Sequence, residues 1–115
     1  MTEYTGRQFF KKNVTGKTQS DGAFPMDVSG SLYCGDFAKR KWTIQVVCHG
    51  NSISAGTLTV GAKVPDASEH ADMSDTIDLS SGSPVPYTFE ATVESLQFTP
   101  DSYDGDSFDV FVAAS

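Results

Sequence analysis

The 115-residue chain is 38% hydrophobic and 20% charged, and its fifteen acids against eight Lys and Arg leave a formal net charge of −7. That length suits one domain able to bury its own core. An acidic surplus argues against nucleic-acid binding, which draws most of its affinity from a clustered basic face. The longest apolar run, Ile44 to Cys48, falls far short of the roughly 18 residues needed to cross a bilayer, so no membrane is expected as a partner.

Taken from the start, "MTEYTGRQFFKKNVTG" lacks the apolar run and small-residue cleavage site of a secretory leader, which predicts synthesis in a cytosol. "RQFFKKNV" reads as a strand in which Phe9 and Phe10 are consecutive, so one ring faces away from whatever the other packs on. Two readings follow for residues 1–20: an N-terminal arm that lends an aromatic and several cations to a neighbour, or an ordinary first strand. On the first, Arg7, Phe9, Phe10, Lys11 and Lys12 are candidate subunit-interface residues. Residues 21–115 read as the folded domain.

Further strands are expected near "FPMDV", "SLYC" and "TIDLS". In "KWTIQVVC", Trp42, Ile44 and Val46 share one side, and the phase then breaks at Val47 and Cys48, which predicts burial on both faces or a bulge. "GTLTVGAKV" places Leu58, Val60, Ala62 and Val64 inward, with Thr57, Thr59 and Lys63 outward. The segment "PDASEHADMSDTID" spaces Asp66, Glu69, Asp72, Asp75 and Asp78 three apart with almost no apolar partner. A solvated loop at the domain edge is expected there.

"YTFEATV" is the cleanest alternation, with Tyr87, Phe89, Ala91 and Val93 on one face of a half-buried strand. The apolar phase slips by one between Val93 and Leu96, so Glu94 and Ser95 mark a bulge or a change of sheet. Leu96 and Phe98 then alternate, as do Phe108, Val110 and Val112. Seven to nine short strands with turn signals between them predict an all-β domain, a single two-sheet antiparallel β-sandwich of Ig-like or jelly-roll topology. Alternation does not choose between the two.

The last turn, "PDSYDGDSFDVFV", carries Asp101, Asp104, Asp106 and Asp109 around one glycine. An EF-hand loop is excluded, because the glycine falls fifth from Asp101 and the twelfth position is Val112 rather than a bidentate Glu. The stretch reads as a hairpin turn built from residues that tolerate positive φ; an irregular calcium site is the alternative. Cys34 and Cys48, 14 apart, fit no zinc spacing and read as reduced thiols, with a disulfide open if their strands are neighbours. His49 and His70 read as solvated. There is no GxSxG elbow, no phosphate-cradling glycine loop and no activated cysteine, so no catalytic residue, metal or cofactor is expected.

Residues 1–49 carry seven cations against four acids, +3, whereas residues 50–115 carry one against eleven, −10. The asymmetry reads either as two differently solvated faces of one domain or as a basic N-terminal region that meets an acidic face of another copy or another protein, since complementary charge guides assembly. "WTIQV", "GTLTVGAKV", "YTFEATV" and the closing "SLQFTPDSYDGDSFDVFVAAS" together resemble small β-sandwich virion proteins of tailed bacteriophages. The resemblance covers about residues 41–115. It implies a non-enzymatic capsid-decoration or neck and tail accessory protein, made in the host cytoplasm and located in the virion, whose partners are copies of itself and other virion proteins. A carbohydrate-binding module is the alternative, with Tyr4, Tyr33, Trp42, Tyr87 and Tyr103 as its available rings. A small jelly-roll hydrolase with metal at His49 or His70 is a third.

Overall fold

The computed structural model describes residues 10–33, 40–82 and 84–115. Among them, β1 (Phe10–Lys17), β2 (Phe24–Asp27), β3 (Arg40–His49), β4 (Thr57–Lys63), β5 (Ala71–Asp78), β6 (Tyr87–Ala91), β7 (Ser95–Asp101) and β8 (Ser107–Ala114) make up the strands. They form two four-stranded antiparallel sheets, in the orders β1-β8-β3-β6 and β2-β7-β4-β5. The pairings nest: β1 with β8, β2 with β7, β3 with β6 and β4 with β5. One long hairpin folded at the β4–β5 turn has in effect been rolled up, so that β8 lies against β3 and β7 against β4. That is the jelly roll, and it decides between the two topologies left open by alternation.

Period-2 patterning puts the core between the sheets. Trp42, Ile44 and Val46 of β3 are buried with Val110 and Val112 of β8 from one side, and Leu58, Val60, Leu96 and Phe98 from the other. Each such side chain contributes about 1.5–3 kcal/mol by leaving water. The rings divide into two groups. Trp42 meets Phe10 edge-on (centroids 6.2 Å apart, 70° between planes) and stacks on Phe89 (6.2 Å, 15°), while its Nε1–H donates to the Ala91 carbonyl at 3.0 Å. Phe24 packs against Phe98 and Phe108, and Tyr103 stands edge-on to Phe108 (5.4 Å, 88°).

Several local expectations change. β3 keeps one register against β8 from Trp42–Ala114 to His49–Ser107, so Val47 points out, 36% exposed, and Cys48 points in; there is no break in phase. Val64 lies past the end of β4 and is 54% exposed rather than inward. The acidic segment is not a loop throughout, because residues 71–78 form β5, the outer strand of its sheet. Between the pairs Thr59–Thr76 and Gly61–Asp72, two steps along β4 face four along β5. That irregularity displaces the side-chain phase, so extended backbone carries a non-alternating sequence.

Glu94 and Ser95 do mark a change of sheet, from β6 in the first to β7 in the second. The expected β7–β8 hairpin does not form, since these strands belong to different sheets and Ser102–Asp106 crosses from one to the other. Alternation reports which face is buried and says nothing about which strand is the partner.

Candidate interaction surfaces

The aspartate turn is fastened from within. Asp104 accepts from the Ser54 and Ala55 backbone N–H groups (3.0 and 3.1 Å to Oδ1) and from the Ser54 hydroxyl (2.7 Å). These bonds hold its carboxyl below the usual carboxylate range, the Ser54 hydroxyl contributing most. Asp109 accepts from the Gly16 N–H and pairs with His49 Nε2, each at 2.9 Å, and is likewise held low, chiefly by His49. Gly16 sits at φ +70°, where β1 carries one extra residue against β8, a bulge position that favours glycine. Asp109 therefore ties β1, β8 and β3 together. Among the described residues no three of His, Cys, Asp and Glu converge as a metal-binding group.

Within that turn Tyr103 is buried. Its hydroxyl donates to the Ser107 carbonyl at 2.6 Å, and burial pushes its pKa up to about 12. An added Cβ at Gly105 would collide with the Tyr103 hydroxyl and ring, and one at Gly56 would lie 2.8 Å from the Tyr103 Cα. Neither histidine joins a cluster: His49 is spent on Asp109, and His70 Nε2 meets the Ser95 hydroxyl at 2.8 Å. Cys48 is a free thiol whose pKa burial raises, whereas Cys34 lies outside the described residues.

Of the expected interface residues, Arg7 and Phe9 also lie outside the described residues. Phe10 turns inward onto Trp42. Lys11 and Lys12 are exposed on β1, Lys12 donating to the Asp27 carbonyl at 2.8 Å. Of the rings weighed as a glycan platform, Trp42 and Tyr103 are buried and Tyr87 packs against the core.

Two surfaces emerge, one on the outer face of the first sheet and one at the edge of the sandwich away from β1. On the outer face of the first sheet, Lys11, Ala113 and Thr43 are in register across β1, β8 and β3, and Asn13, Phe111 and Gln45 form the adjacent row. They line a shallow depression of about 530 Å³, in which the Phe111 ring is 40% exposed. At the far edge, β5 and β6 part around a cleft of about 480 Å³ lined by Ile77, Asp78, Pro84, Val85, Pro86 and Tyr87. Val85 is 82% exposed there, and Asp72, Asp75 and Asp78 are exposed along β5. Burial, followed by the Asp75 charge, raises the Tyr87 pKa.

No family model matches the sequence, and no curated protein matches it. Among solved structures, the chain is similar to the Drosophila NLP core, a structure that provides insight into pentamer formation and histone binding (14% identity, 95% of this chain and 94% of that one, TM-score 0.43). It is also similar to the CBM32 of AlyQ in complex with 4,5-unsaturated mannuronic acid (16%, 91% and 76%, 0.48). A third is the Yersinia pseudotuberculosis-derived mitogen (12%, 95% and 83%, 0.43). Likeness at this level carries no argument about activity or partner.

Proposed function

We propose that the chain is a non-enzymatic structural subunit of a bacteriophage virion, a capsid-decorating or neck and tail accessory part that acts in many copies through protein–protein contacts. One observation supports self-assembly above the rest: folding sorts the charge by edge. Lys11 and Lys12 stand exposed on β1, at one edge of the sandwich, and Asp72, Asp75 and Asp78 stand exposed on β5, at the other. Opposite charge at opposite edges of one molecule favours repeated association of like copies, each contact weak and the set strong. The phage setting rests on the resemblance of residues 41–115.

Light scattering on the purified full chain tests this reading, at about 0.05 M and about 0.5 M salt, over which the Debye length falls from about 14 Å to about 4 Å. A discrete oligomer at low salt that loosens at high salt is expected, and a monomer at both would refute the reading. The alternative, a carbohydrate-binding module, keeps one favourable observation, the exposed Phe111 ring between Asn13 and Gln45. A monomer retained by a soluble polysaccharide and released by Phe111→Ala would favour it.

A further inference from the structure

The two surfaces match in more than charge. On the Phe111 face an exposed ring lies next to a row with the small Ala113 at its centre and Lys11 at its β1 end. At the β5–β6 edge Val85, the most exposed large apolar side chain among the described residues, stands between two prolines, whose fixed φ and missing N–H hold the segment stiff and remove it from sheet pairing. Asp78 lines that cleft, and Asp75 is exposed on β5 one residue before Thr76, which also lines it. One surface therefore sets an exposed ring and a small alanine beside Lys11 and Lys12, and the other sets an exposed valine beside Asp78. The first is the outer face of one sheet and the second lies where β5 and β6 end the sandwich, so one copy cannot satisfy both by itself.

We propose that the Pro84–Val85–Pro86 segment of one copy, with Asp75 and Asp78 beside it, seats on the Phe111 face of the next copy against Lys11. The proposal rests on the self-assembly reading and names its contact. Because the surfaces differ, the interface is heterologous: copies join head to tail, and the assembly closes into a ring or runs on as a filament. Lysines on an outer strand also discourage strand pairing; that role alone would need no acidic apolar counterpart at the far edge.

Four substitutions at exposed positions test it: Phe111→Ser, Val85→Ser, Lys11→Glu and Asp75→Lys. Circular dichroism and thermal melts first establish that each variant folds as the wild type does. Sedimentation across a concentration series should show self-association weakened at least tenfold in each single variant. The double variant Lys11→Glu/Asp75→Lys should recover it, since reversal at both ends restores the opposite signs.

Mixing gives the sharper reading. Phe111→Ser and Val85→Ser should each be monomeric alone, whereas an equimolar mixture should form dimers of one copy each and nothing larger, because only one intact pair of surfaces remains. A wild type that assembles while all four variants assemble equally overturns the proposed contact and leaves the self-assembly reading standing. Single variants that dissociate but give no mixed dimer also overturn it, in favour of an isologous interface. A wild type that is monomeric at every concentration overturns both.

Discussion

Gly105→Ala probes whether the aspartate turn is built to seat Tyr103. Gly105 does not have positive φ, so the substitution adds no backbone strain and its cost is steric. The new Cβ would collide with the Tyr103 hydroxyl and ring, which forces the ring out of its site. Displacement breaks the 2.6 Å bond to the part-buried Ser107 carbonyl, about 1–2 kcal/mol when that acceptor is left without its donor. It also disturbs the edge-on contact with Phe108 at 5.4 Å, about 0.5–1.5 kcal/mol. Together these give about 1.5–3.5 kcal/mol. With about 2.1 cal/mol/K of unfolding entropy per residue, a chain of 115 residues should lose about 6–14 °C in Tm. Gly30→Ala serves as the control, since Gly30 also lacks positive φ and its Cβ would meet nothing nearer than Phe10 Cε2 at 3.4 Å; its Tm should stay within about 2 °C of wild type, about 0.5 kcal/mol. Calorimetry reads both. A Gly105→Ala protein that melts with the control would refute the seating of Tyr103.

The carboxyls of Asp104 and Asp109 are held below their ordinary value by hydrogen bonds, so the stability they add is fully present above the unfolded-state carboxylate pKa and is lost as pH falls through the lower folded value. The urea midpoint should hold near neutrality and drop between about pH 5 and pH 2; a flat midpoint over that range would contradict these contacts. Tyr103 has the opposite sign. Its pKa is raised to about 12, so the stability it adds is present below the ordinary tyrosine value near 10 and declines as pH rises toward 12, and tyrosinate absorbance should show a component titrating near 12 that Tyr103→Phe removes. Asp104→Ala should speed amide hydrogen exchange at Ser54 and Ala55, which lose their acceptor, while leaving β3 unchanged. Phe98→Ala, at a fully buried ring in the second sheet, should cost about 3–5 kcal/mol, measured by urea denaturation.

Much of the fold was legible because period 2 is a local signal: Trp42, Ile44 and Val46, or Leu96 and Phe98, disclose a buried face within five residues. Partnership is not local. Nothing between Leu96 and Val112 distinguishes a hairpin from a crossing between sheets, and nested pairing has no signature in any single segment. Only the end of the acidic strand β5, at "TIDLS", was legible, because its irregularity against β4 puts acids three apart on extended backbone. Phe111 had a readable cue, an aromatic residue in the outward phase of "SFDVFVAA". Val85 had none, because a valine between prolines reads as a turn. The paired edges required the topology that places β1 and β5 apart.

The nested order also constrains how the chain reaches its fold. Phe10 pairs with Ala114, and β8 lies inside its sheet, between β1 and β3. A ribosome extends a chain by about 5–20 residues each second, and until Ala114 has emerged the first sheet lacks a middle strand, leaving β1 with no partner and an aromatic residue at its end. Only the β4–β5 hairpin and the strands around it can form earlier. Contacts this distant in sequence make for slow folding, and a chain that has not yet placed β8 exposes an unfinished sheet. The first sheet therefore forms only once β8 has been made, whatever order the other strands take.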